Sequence, residues 1–376
     1  MAAAPAESRA PRPVGTLSFA STNGTPGSDA AFLSSLRCAA PLPSSHAVPT
    51  ASALAALRLR EEGVAKVTPK GVTHLCFQPR SDALLLASAD KDGHIALWRA
   101  DRPSGAEQEK GAAEEGDDDG VLLLKPHGQY VSGLVWSSRG DKLLSVSYDG
   151  SLRSLDVARG ESLELWAAPG DEFSAMDATA ETAYLGDNEG RLRGIDARSG
   201  AVALAPVRVH NKKVNTISVR DHSLATACGD ATVCVWDVRR LGSNATPLLS
   251  LAHGKSCQSA YFAPSGAKRV LSTSYDDSVS VWSDKGERMR VKHDNQTGRW
   301  LLPLRAVWAP CGTAFVVGSM KRDTELFSAA DGRCIAQHSD ALLTAVPSRH
   351  ACHPSRPIIA AGTASGRAHL WGFLQN

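Results

Sequence analysis

The chain has 376 residues, of which 43% are hydrophobic and 21% charged, a composition that can bury a sizeable core. Its 41 Lys and Arg residues and 39 Asp and Glu residues leave a net charge of +2, which alone indicates no partner. We expect no membrane-spanning helix, because no apolar run approaches about eighteen residues. We also expect no secretory signal, because no apolar core follows a charged N-terminus.

The eight cysteines are scattered singly, with no Cys-x-x-Cys pair and no Cys/His spacing typical of a zinc site. We therefore expect all of them to be reduced, as in a cytosolic or nuclear protein. We expect neither a metal nor any other cofactor.

Residues 1–50 are rich in Ala, Pro and Ser and nearly free of aromatic residues, which predicts a disordered tail. An organelle transit peptide is an alternative interpretation, because the tail contains more arginines than acidic residues. A short helix is expected next, over residues 51–63.

From residue 72 onward the sequence repeats a unit of short strand segments separated by turns, and the third segment closes on a large apolar residue in every unit. The closing positions lie 40 to 57 residues apart. They are Trp98, Leu155, Ile195, Trp236, Trp282, Phe327 and Trp371. The longest interval contains a predicted acidic loop over residues 101–120, with seven acidic residues and one lysine between Glu107 and Asp119.

A tight turn is predicted six residues before each closing position, between the second and third strands. Four of the seven turn positions hold Asp and a fifth holds Glu, whose carboxylates can accept backbone N–H groups. These residues are Asp92, Asp149, Asp230, Asp276 and Glu189. A histidine precedes the first strand of three units and could hydrogen-bond the turn Asp of its own unit; these are His127, His210 and His253.

A unit of this kind forms a small antiparallel sheet that cannot bury both faces alone, so neighbouring units must stack around a ring. Seven units predict an all-β, seven-bladed propeller over residues 64–376. The last unit lacks a fourth strand, and Val64 to Thr68 would supply it and close the ring. The pattern resembles the WD-repeat β-propeller family over residues 66–373, with the Trp-Asp pair intact at Trp236 and Asp237.

The loops that lead into first strands and the loops between second and third strands would share one face of the ring, here called the top face. In units four to six these loops collect basic residues that suit phosphate contacts. They are Lys212, Lys213, Lys255, Lys292, Lys321 and Arg322. Taken singly, each of them would be an ordinary solvated surface charge.

The loop into unit six contains Trp300, the one tryptophan without a position in the repeat. Beside Arg299, its indole could stack on an unpaired base or wedge into a base step. The alternative is that Trp300 packs inward and holds the loop.

Three segments resemble one WD-repeat subfamily, the fungal "changed mutation rate" proteins with their animal and plant counterparts, which are nuclear DNA-damage-binding proteins. The segments are residues 293–300 (HDNQTGRW), 306–308 (AVW) and 317–320 (VGSM). The resemblance implies that the loop into unit six probes the lesion through Gln296, Thr297, Gly298, Arg299 and Trp300. His293 is a further predicted DNA-binding residue of the same loop. The sequence departs from the subfamily after Lys321 and Arg322, where acidic Asp323 and Glu325 follow instead of further basic residues.

On the opposite face, the segments Asp196-Ala-Arg198 and Trp236-Asp237-Val-Arg239 end the third strands of units three and four. These ends resemble the docking motif of propellers that act as substrate receptors of cullin–RING ubiquitin ligases. The resemblance implies that Asp196, Arg198, Trp236, Asp237 and Arg239 bind the ligase adaptor, to which an Arg can present its planar donors. Each Asp could equally pair with its own Arg and do nothing further.

We expect a non-enzymatic protein of the nucleus that binds DNA, with damaged duplex preferred, in DNA-damage response or repair. Single-stranded DNA is a further candidate ligand. The alternative is a scaffold or ligase substrate receptor whose client is a protein such as a histone or a chaperone. An enzyme is the least favoured class, because the sequence contains no G-x-S-x-G motif, no P-loop and no metal-spaced His/Cys set.

Overall fold

A computed structural model of the chain describes residues 12–19, 32–34, 36, 46–80, 82–101, 120–157, 159–242, 244–298 and 301–372. Within these ranges nearly all regular structure is β-strand, arranged as seven antiparallel sheets. No helix in the described ranges is long and apolar enough to span a bilayer. The architecture confirms the predicted seven-bladed β-propeller.

The described elements before the first blade include strand β1 (Leu17–Ser18), helix α1 (Ala51–Ala55), a 3-10 turn (Glu61–Gly63) and strand β2 (Val64–Lys66). The Thr50 hydroxyl caps α1 by accepting the Ala53 backbone N–H at 3.2 Å. The helix predicted over 51–63 is thus limited to its first part. The chain then extends and buries Leu57 and Leu59 against blades six and seven.

Within each blade the strands are named in order from the innermost strand outward. Blade one contains β3 (Val72–Phe77), β4 (Leu85–Asp90), β5 (Ile95–Arg99) and β6 (Val121–Leu124). Blade two contains β7 (Val131–Trp136), β8 (Lys142–Ser147), β9 (Ser151–Asp156) and β10 (Glu161–Ala167). Blade three contains β11 (Phe173–Ala178), β12 (Thr182–Asp187), β13 (Arg191–Asp196) and β14 (Val202–Arg208). Blade four contains β15 (Val214–Arg220), β16 (Ser223–Cys228), β17 (Thr232–Asp237) and β18 (Leu249–Ala252).

The remaining three blades complete the ring. Blade five contains β19 (Cys257–Phe262), β20 (Val270–Ser274), β21 (Ser278–Trp282) and β22 (Arg288–Lys292). Blade six contains β23 (Val307–Trp308), β24 (Ala314–Gly318), β25 (Thr324–Ser328) and β26 (Cys334–His338). Blade seven contains β27 (Pro347–Cys352), β28 (Ile359–Thr363) and β29 (Arg367–Trp371). Its outer strand is β2, which pairs antiparallel with β29 and places Ala65 opposite Ala368, so the predicted closure of the ring is confirmed.

The core lies between the blades, because each sheet is apolar on both faces. Every residue of β4 is buried, for example. Between blades five and six, Leu271 and Val279 pack in one cluster with Trp308 and Phe315, and all four are buried. A blade therefore leaves apolar surface in water unless a neighbour covers each face, which is why the sheets form a closed ring.

A chain of polar side chains crosses the interior of blade five. The Ser272 hydroxyl accepts the indole N–H of Trp282 at 2.8 Å and lies 2.8 Å from His253 Nε2. The other ring nitrogen of His253 lies 3.1 Å from Asp276 Oδ2, as predicted for the turn Asp. Blade four repeats the arrangement with Thr226 in place of the serine, and blade two repeats it without a tryptophan.

In blades one and three the carboxylate that holds the turn is not the predicted one. Asp92 and Glu189 are exposed, and the residues two positions earlier accept the backbone N–H groups instead. Asp90 Oδ1 accepts the N–H of His94 at 3.0 Å, and Asp187 Oδ1 accepts the N–H of Arg191 at 2.9 Å. The physical reason is that Asp90 and Asp187 end buried strands and reach the turn from inside.

Some segments of the predicted disordered tail over residues 1–50 are among the described residues, and these segments contact the blades. Strand β1 extends blade two by pairing with β10, and the buried guanidinium of Arg153 donates to the carbonyls of Pro13 and Gly15 at 3.0 and 3.1 Å. Phe32 and Leu36 are 5% and 2% exposed and pack against blades one and two. A few apolar residues suffice because the blades provide the partner surface. Residues 102–119 of the predicted acidic loop lie outside the described residues.

Replacing Ser272 with Ala should lower the free energy of unfolding by about 1–3 kcal/mol, because the buried Trp282 N–H and His253 ring lose their shared partner. Ser250, exposed on β18, is the matched control, and Ser250→Ala should cost less than about 0.5 kcal/mol. Urea unfolding followed by tryptophan fluorescence measures both. Equal unfolding free energies for the two variants would contradict the role of the serine.

Candidate nucleic-acid interface

The direction of the strands sorts the loops onto two faces. First and third strands run away from the top face, so loops into a blade and loops between second and third strands lie on that face. Lys212 follows β14, Lys255 follows β18, and Lys321 with Arg322 lies between β24 and β25. Lys292 ends β22 at the same face.

All five of these side chains are exposed. We call them the top-face cations: Lys212, Lys255, Lys292, Lys321 and Arg322. They come from three consecutive blades, so the ring brings together charges that are far apart in the chain. Such an array can contact several phosphates of one backbone.

Lys213 does not belong to this surface. Its side chain is half-buried, donates to the Tyr148 hydroxyl of blade two, and places its nitrogen 5.3 Å from the centre of the Tyr148 ring. Burial and the nearby Arg305 lower the pKa of Lys213 to about 8. Its partial burial against Tyr148 corrects its assignment to the exposed rim.

A groove of about 430 Å³ opens on the top face between blades five and six, lined by Lys255, Ser256, Tyr275, Gln296 and Gly298. We call it the Tyr275 groove. The Gln296 amide donates to the Tyr275 carbonyl at 2.7 Å and to Asp277 Oδ1 at 3.0 Å. The groove therefore combines a cation, a partly exposed phenol ring and an amide held in position.

Tyr275 was not among the sequence-predicted site residues. The signal was present, because Ser-Tyr-Asp occurs at both 147–149 and 274–276, directly before the turn Asp. That position projects from the turn on the top face. A phenol ring there offers a stacking surface for a base.

His293 and Thr297 are buried, 7% and 5% exposed, and this corrects their assignment to the DNA-contacting surface. His293 Nδ1 lies 2.8 Å from Asn295 Oδ1 and its Nε2 lies 3.2 Å from Glu325 Oε2. The Asn295 amide in turn donates to the Ser274 carbonyl at 2.8 Å. These residues hold the loop onto blades five and six, while Gln296 and Gly298 between and after them are exposed.

Arg299 and Trp300 lie outside the described residues. The lesion-probing role that the resemblance implies for them stays a prediction. The described residue that precedes them, Gly298, lines the Tyr275 groove.

The acidic residues that follow Arg322 are engaged within the protein. Asp323 is buried. The hydrogen bond from His293 and the nearby charge of Lys321 hold the pKa of Glu325 below its ordinary value, and Glu325 also accepts from the Gln337 amide at 2.8 Å. Glu325 thus offsets part of the Lys321 charge, whereas Arg322 remains exposed to solvent.

On the bottom face the two Asp-x-Arg ends differ. Asp237 pairs with Arg239 through two bonds of 2.9 and 2.7 Å, although the Arg239 side chain is still 64% exposed. Asp196 instead accepts the backbone N–H groups of Arg198 and Ser199 at 3.0 and 2.6 Å. The Arg198 side chain is exposed.

Trp236 is buried, with 4% exposure, and its indole N–H donates to Thr226, so it cannot contact an adaptor directly. This corrects its assignment. In the same blade, three side chains place atoms that could bind a metal ion close together: those of His210, Cys228 and Asp230. His210 and Asp230 are already bonded to Thr226 and Thr232, and Cys228 faces the Lys212 carbonyl, so this group is explained by the polar chain of blade four.

The sequence pattern of the family described as "WD domain, G-beta repeat" matches residues 65–99, 120–155 and 204–237. WD repeat-containing protein 76 from Xenopus laevis is 32% identical over 85% of this chain and 56% of its own length. DNA damage-binding protein CMR1 from Phaeosphaeria nodorum is 30% identical over 81% of this chain and 66% of its own length. The protein named cmr1 from Aspergillus clavatus is 31% identical over 81% and 65%.

The matches to these relatives extend well beyond the three recognised repeats and cover most of the propeller. The chain spans 56% to 66% of the length of the three relatives. The blade count, the His–Asp pairs and these identities agree. The chain belongs to the WD-repeat family, together with the proteins named CMR1 and WD repeat-containing protein 76.

Proposed function

We propose that this protein is a non-enzymatic DNA-binding propeller of the nucleus that binds damaged duplex DNA through its top face and acts in DNA-damage response or repair. The main observation in its favour is the set of five exposed cations on one face of blades four to six, next to the Tyr275 groove. The name of the CMR1 relatives, DNA damage-binding protein, supports the same ligand.

The arrangement of groups fits the backbone of a nucleic acid. Exposed lysines release condensed counterions when they neutralise phosphates, which favours binding without requiring a particular sequence. The Tyr275 groove adds a ring on which a base that leaves the stack can rest. Damaged duplex is the favoured ligand because unstacking costs least at a distorted base pair.

The proposal assigns no catalytic step. The buried histidines of blades two, four and five are hydrogen-bonded to turn carboxylates and hydroxyls, which accounts for their positions. The top-face cations, the Gln296 amide and the partly exposed Tyr275 phenol are binding groups.

Replacing Lys212 and Lys255 together with Met should weaken binding to intact and ultraviolet-irradiated duplex alike. The slope of log K against log salt should fall by about 0.9 for each lysine that neutralises a phosphate. Fluorescence anisotropy at two or more salt concentrations measures this. The control is Lys268→Met with Lys285→Met, an equal loss of charge from exposed bottom-face loops; equal weakening by both pairs would exclude a top-face site.

Trp300→Ala should reduce the preference for irradiated over intact duplex, because the substitution removes the ring predicted to enter the distorted base step. Trp300→Phe, which keeps an aromatic ring, should retain part of the preference. Anisotropy with the two duplexes in parallel gives the ratio of affinities. If both duplexes lose the same factor, Trp300 does not probe the lesion.

A second candidate function is that of a substrate receptor of a cullin–RING ubiquitin ligase. It is favoured by two exposed guanidinium groups, Arg198 and Arg239, at equivalent ends of consecutive blades on the bottom face. An adaptor bound there would leave the top face open to DNA. The top-face cations would alternatively bind acidic peptides of a protein client, such as a histone or a chaperone.

Arg198→Ala combined with Arg239→Ala should abolish pull-down of the ligase adaptor and leave DNA affinity unchanged, because the two faces are separate. Arg159 lies in the corresponding loop of blade two with 77% side-chain exposure, so Arg159→Ala is the matched control and should retain the adaptor. Retained pull-down by the double variant would overturn the bottom-face assignment.

A further inference from the structure

A cavity of about 240 Å³ lies in the central channel, lined mainly by residues of the innermost strands. Its lining includes the polar residues His74, Asn215, Tyr261, Arg305, Arg349 and His350. A water molecule occupies about 30 Å³ in the liquid, so the cavity has room for a group several times larger.

Two arginines determine the charge of this cavity. Arg349 is 4% exposed, and its guanidinium donates to the carbonyls of Thr73 and Pro303, at 2.6 Å each. Arg305 extends across the channel from blade six, donating to the Asn215 carbonyl of blade four at 3.0 Å and lying 3.5 Å from His74 Nε2 of blade one. Burial and the neighbouring Arg305 lower the pKa of Arg349 to about 10, so Arg349 remains charged near neutral pH.

Lys213 adds a third cation at the upper end of the channel. It crosses from blade four to the Tyr148 hydroxyl of blade two. Its pKa of about 8 reflects burial first and the charge of Arg305 second, with Arg349 acting in the same direction. Arg305 and Arg349 line the cavity, whereas Lys213 does not line it but lies near enough for both arginines to lower its pKa.

Among the described residues, no carboxylate forms an ion pair with these three cations. Glu172 raises the pKa of Lys213, but it accepts the Asn188 amide at 2.6 Å. Asp177 lines the cavity, but its two oxygens accept the backbone N–H groups of Val219 and Ala178 at 2.7 and 2.9 Å. Burial raises the pKa of Asp177 to about 6, so it is still mostly ionised at pH 7; it lies near the end of β11 that is farther from the top face.

Several buried donors and acceptors of the cavity have no partner within the described chain. They are Arg305 Nε, His74 Nδ1 and His350 Nδ1. His350 is 6% exposed, and burial together with Arg349 lowers its pKa to about 3, so its ring is neutral. Unpaired buried charge and unpaired polar atoms are both costly, and a bound anion would compensate them at once.

We propose that the upper end of the central channel is a binding site for a single phosphate group, held by Arg305, Lys213 and Arg349. Phosphate fits because it offers several acceptor oxygens and a charge of up to −2 to donors that converge from different blades. The site is separate from the top-face cations and does not depend on DNA binding. Its phosphate belongs either to a free phosphate compound or to a DNA backbone.

The site is tested by calorimetric titration of the full chain with inorganic phosphate and with pyrophosphate, against chloride at equal ionic strength. We expect saturable binding and a higher melting temperature with either ligand. Arg305→Gln and Lys213→Met should each lower the affinity for phosphate at least about tenfold, since each removes a charge-assisted hydrogen bond. Lys212→Met, one residue from Lys213 but exposed, should leave the affinity unchanged.

Two results would overturn the proposal: no saturable binding by the unsubstituted chain, or equal weakening by Lys212→Met and Lys213→Met. Because Arg305 also donates to a backbone carbonyl, the melting temperature of each variant is recorded without ligand. If Arg305→Gln unfolds, the test is decided by Lys213→Met, which loses a hydrogen bond to a hydroxyl only. Loss of phosphate binding in a Lys213→Met protein that melts normally supports the site.

A competition experiment assigns the source of the phosphate. If saturating phosphate displaces duplex DNA and Arg305→Gln lowers the affinity for DNA, the channel binds a phosphate of the DNA backbone. If DNA affinity is unaffected, the channel takes a free phosphate compound, and a failure of DNA binding altogether would leave this site intact.

The pH dependence gives an independent readout. Lys213 loses its proton as pH rises through about 8. Arg349, with a pKa of about 10, stays mostly charged up to about pH 9, and Tyr148, whose pKa is raised by burial, stays neutral. Phosphate affinity should therefore fall between about pH 7 and 9 in the unsubstituted chain and change much less in Lys213→Met. Parallel profiles for the two proteins would count against the site.

Discussion

The fold depends on a single constraint: every four-stranded sheet has two apolar faces, and each face needs a neighbouring blade. Burial of this surface, at about 25 cal/mol per Å², stabilises only the complete ring, because an open end would leave one face in water. Strand β2 is decisive in this respect. Its pairing with β29 joins the first and last blades, so that Ala65 and Val67 pack in the same cluster as Val72 and Leu370.

The closed ring gives the top face its rigidity. Lys212 and Arg322 are 110 positions apart in the chain, but the ring places their loops on the same face. The loops that display them are tied down from within, by turn carboxylates such as Asp276 and by the buried pair of His293 and Asn295. Exposed binding groups thus stand on loops whose buried residues are fixed, which limits the conformational entropy lost when a large ligand binds.

The cations of this protein fall into two physical classes. The top-face cations are solvated and exchange counterions freely, so their attraction for a ligand is long-ranged and weakens with salt. Lys213, Arg305 and Arg349 have lost most of their solvent around the central channel, and burial lowers the pKa of Lys213 and Arg349. Desolvated charges favour one discrete anion over a diffuse ion atmosphere. The same residue types therefore serve extended binding outside and localised binding inside.

The number of blades, the closing strand and the His–Asp pairs of blades two, four and five could be inferred from residue order, because each depends on spacing within one repeat or on a strand missing at the end of the last. Burial could not. Lys212 and Lys213 are adjacent and chemically alike, but one is exposed and the other reaches Tyr148 of another blade. His293, Thr297 and Phe32 are buried by surfaces that other parts of the chain provide, and Asp90 and Asp187 hold their turns because they end buried strands. Contacts of this kind arise between segments far apart in the chain, and a local pattern contains no information about which of its residues those segments will cover.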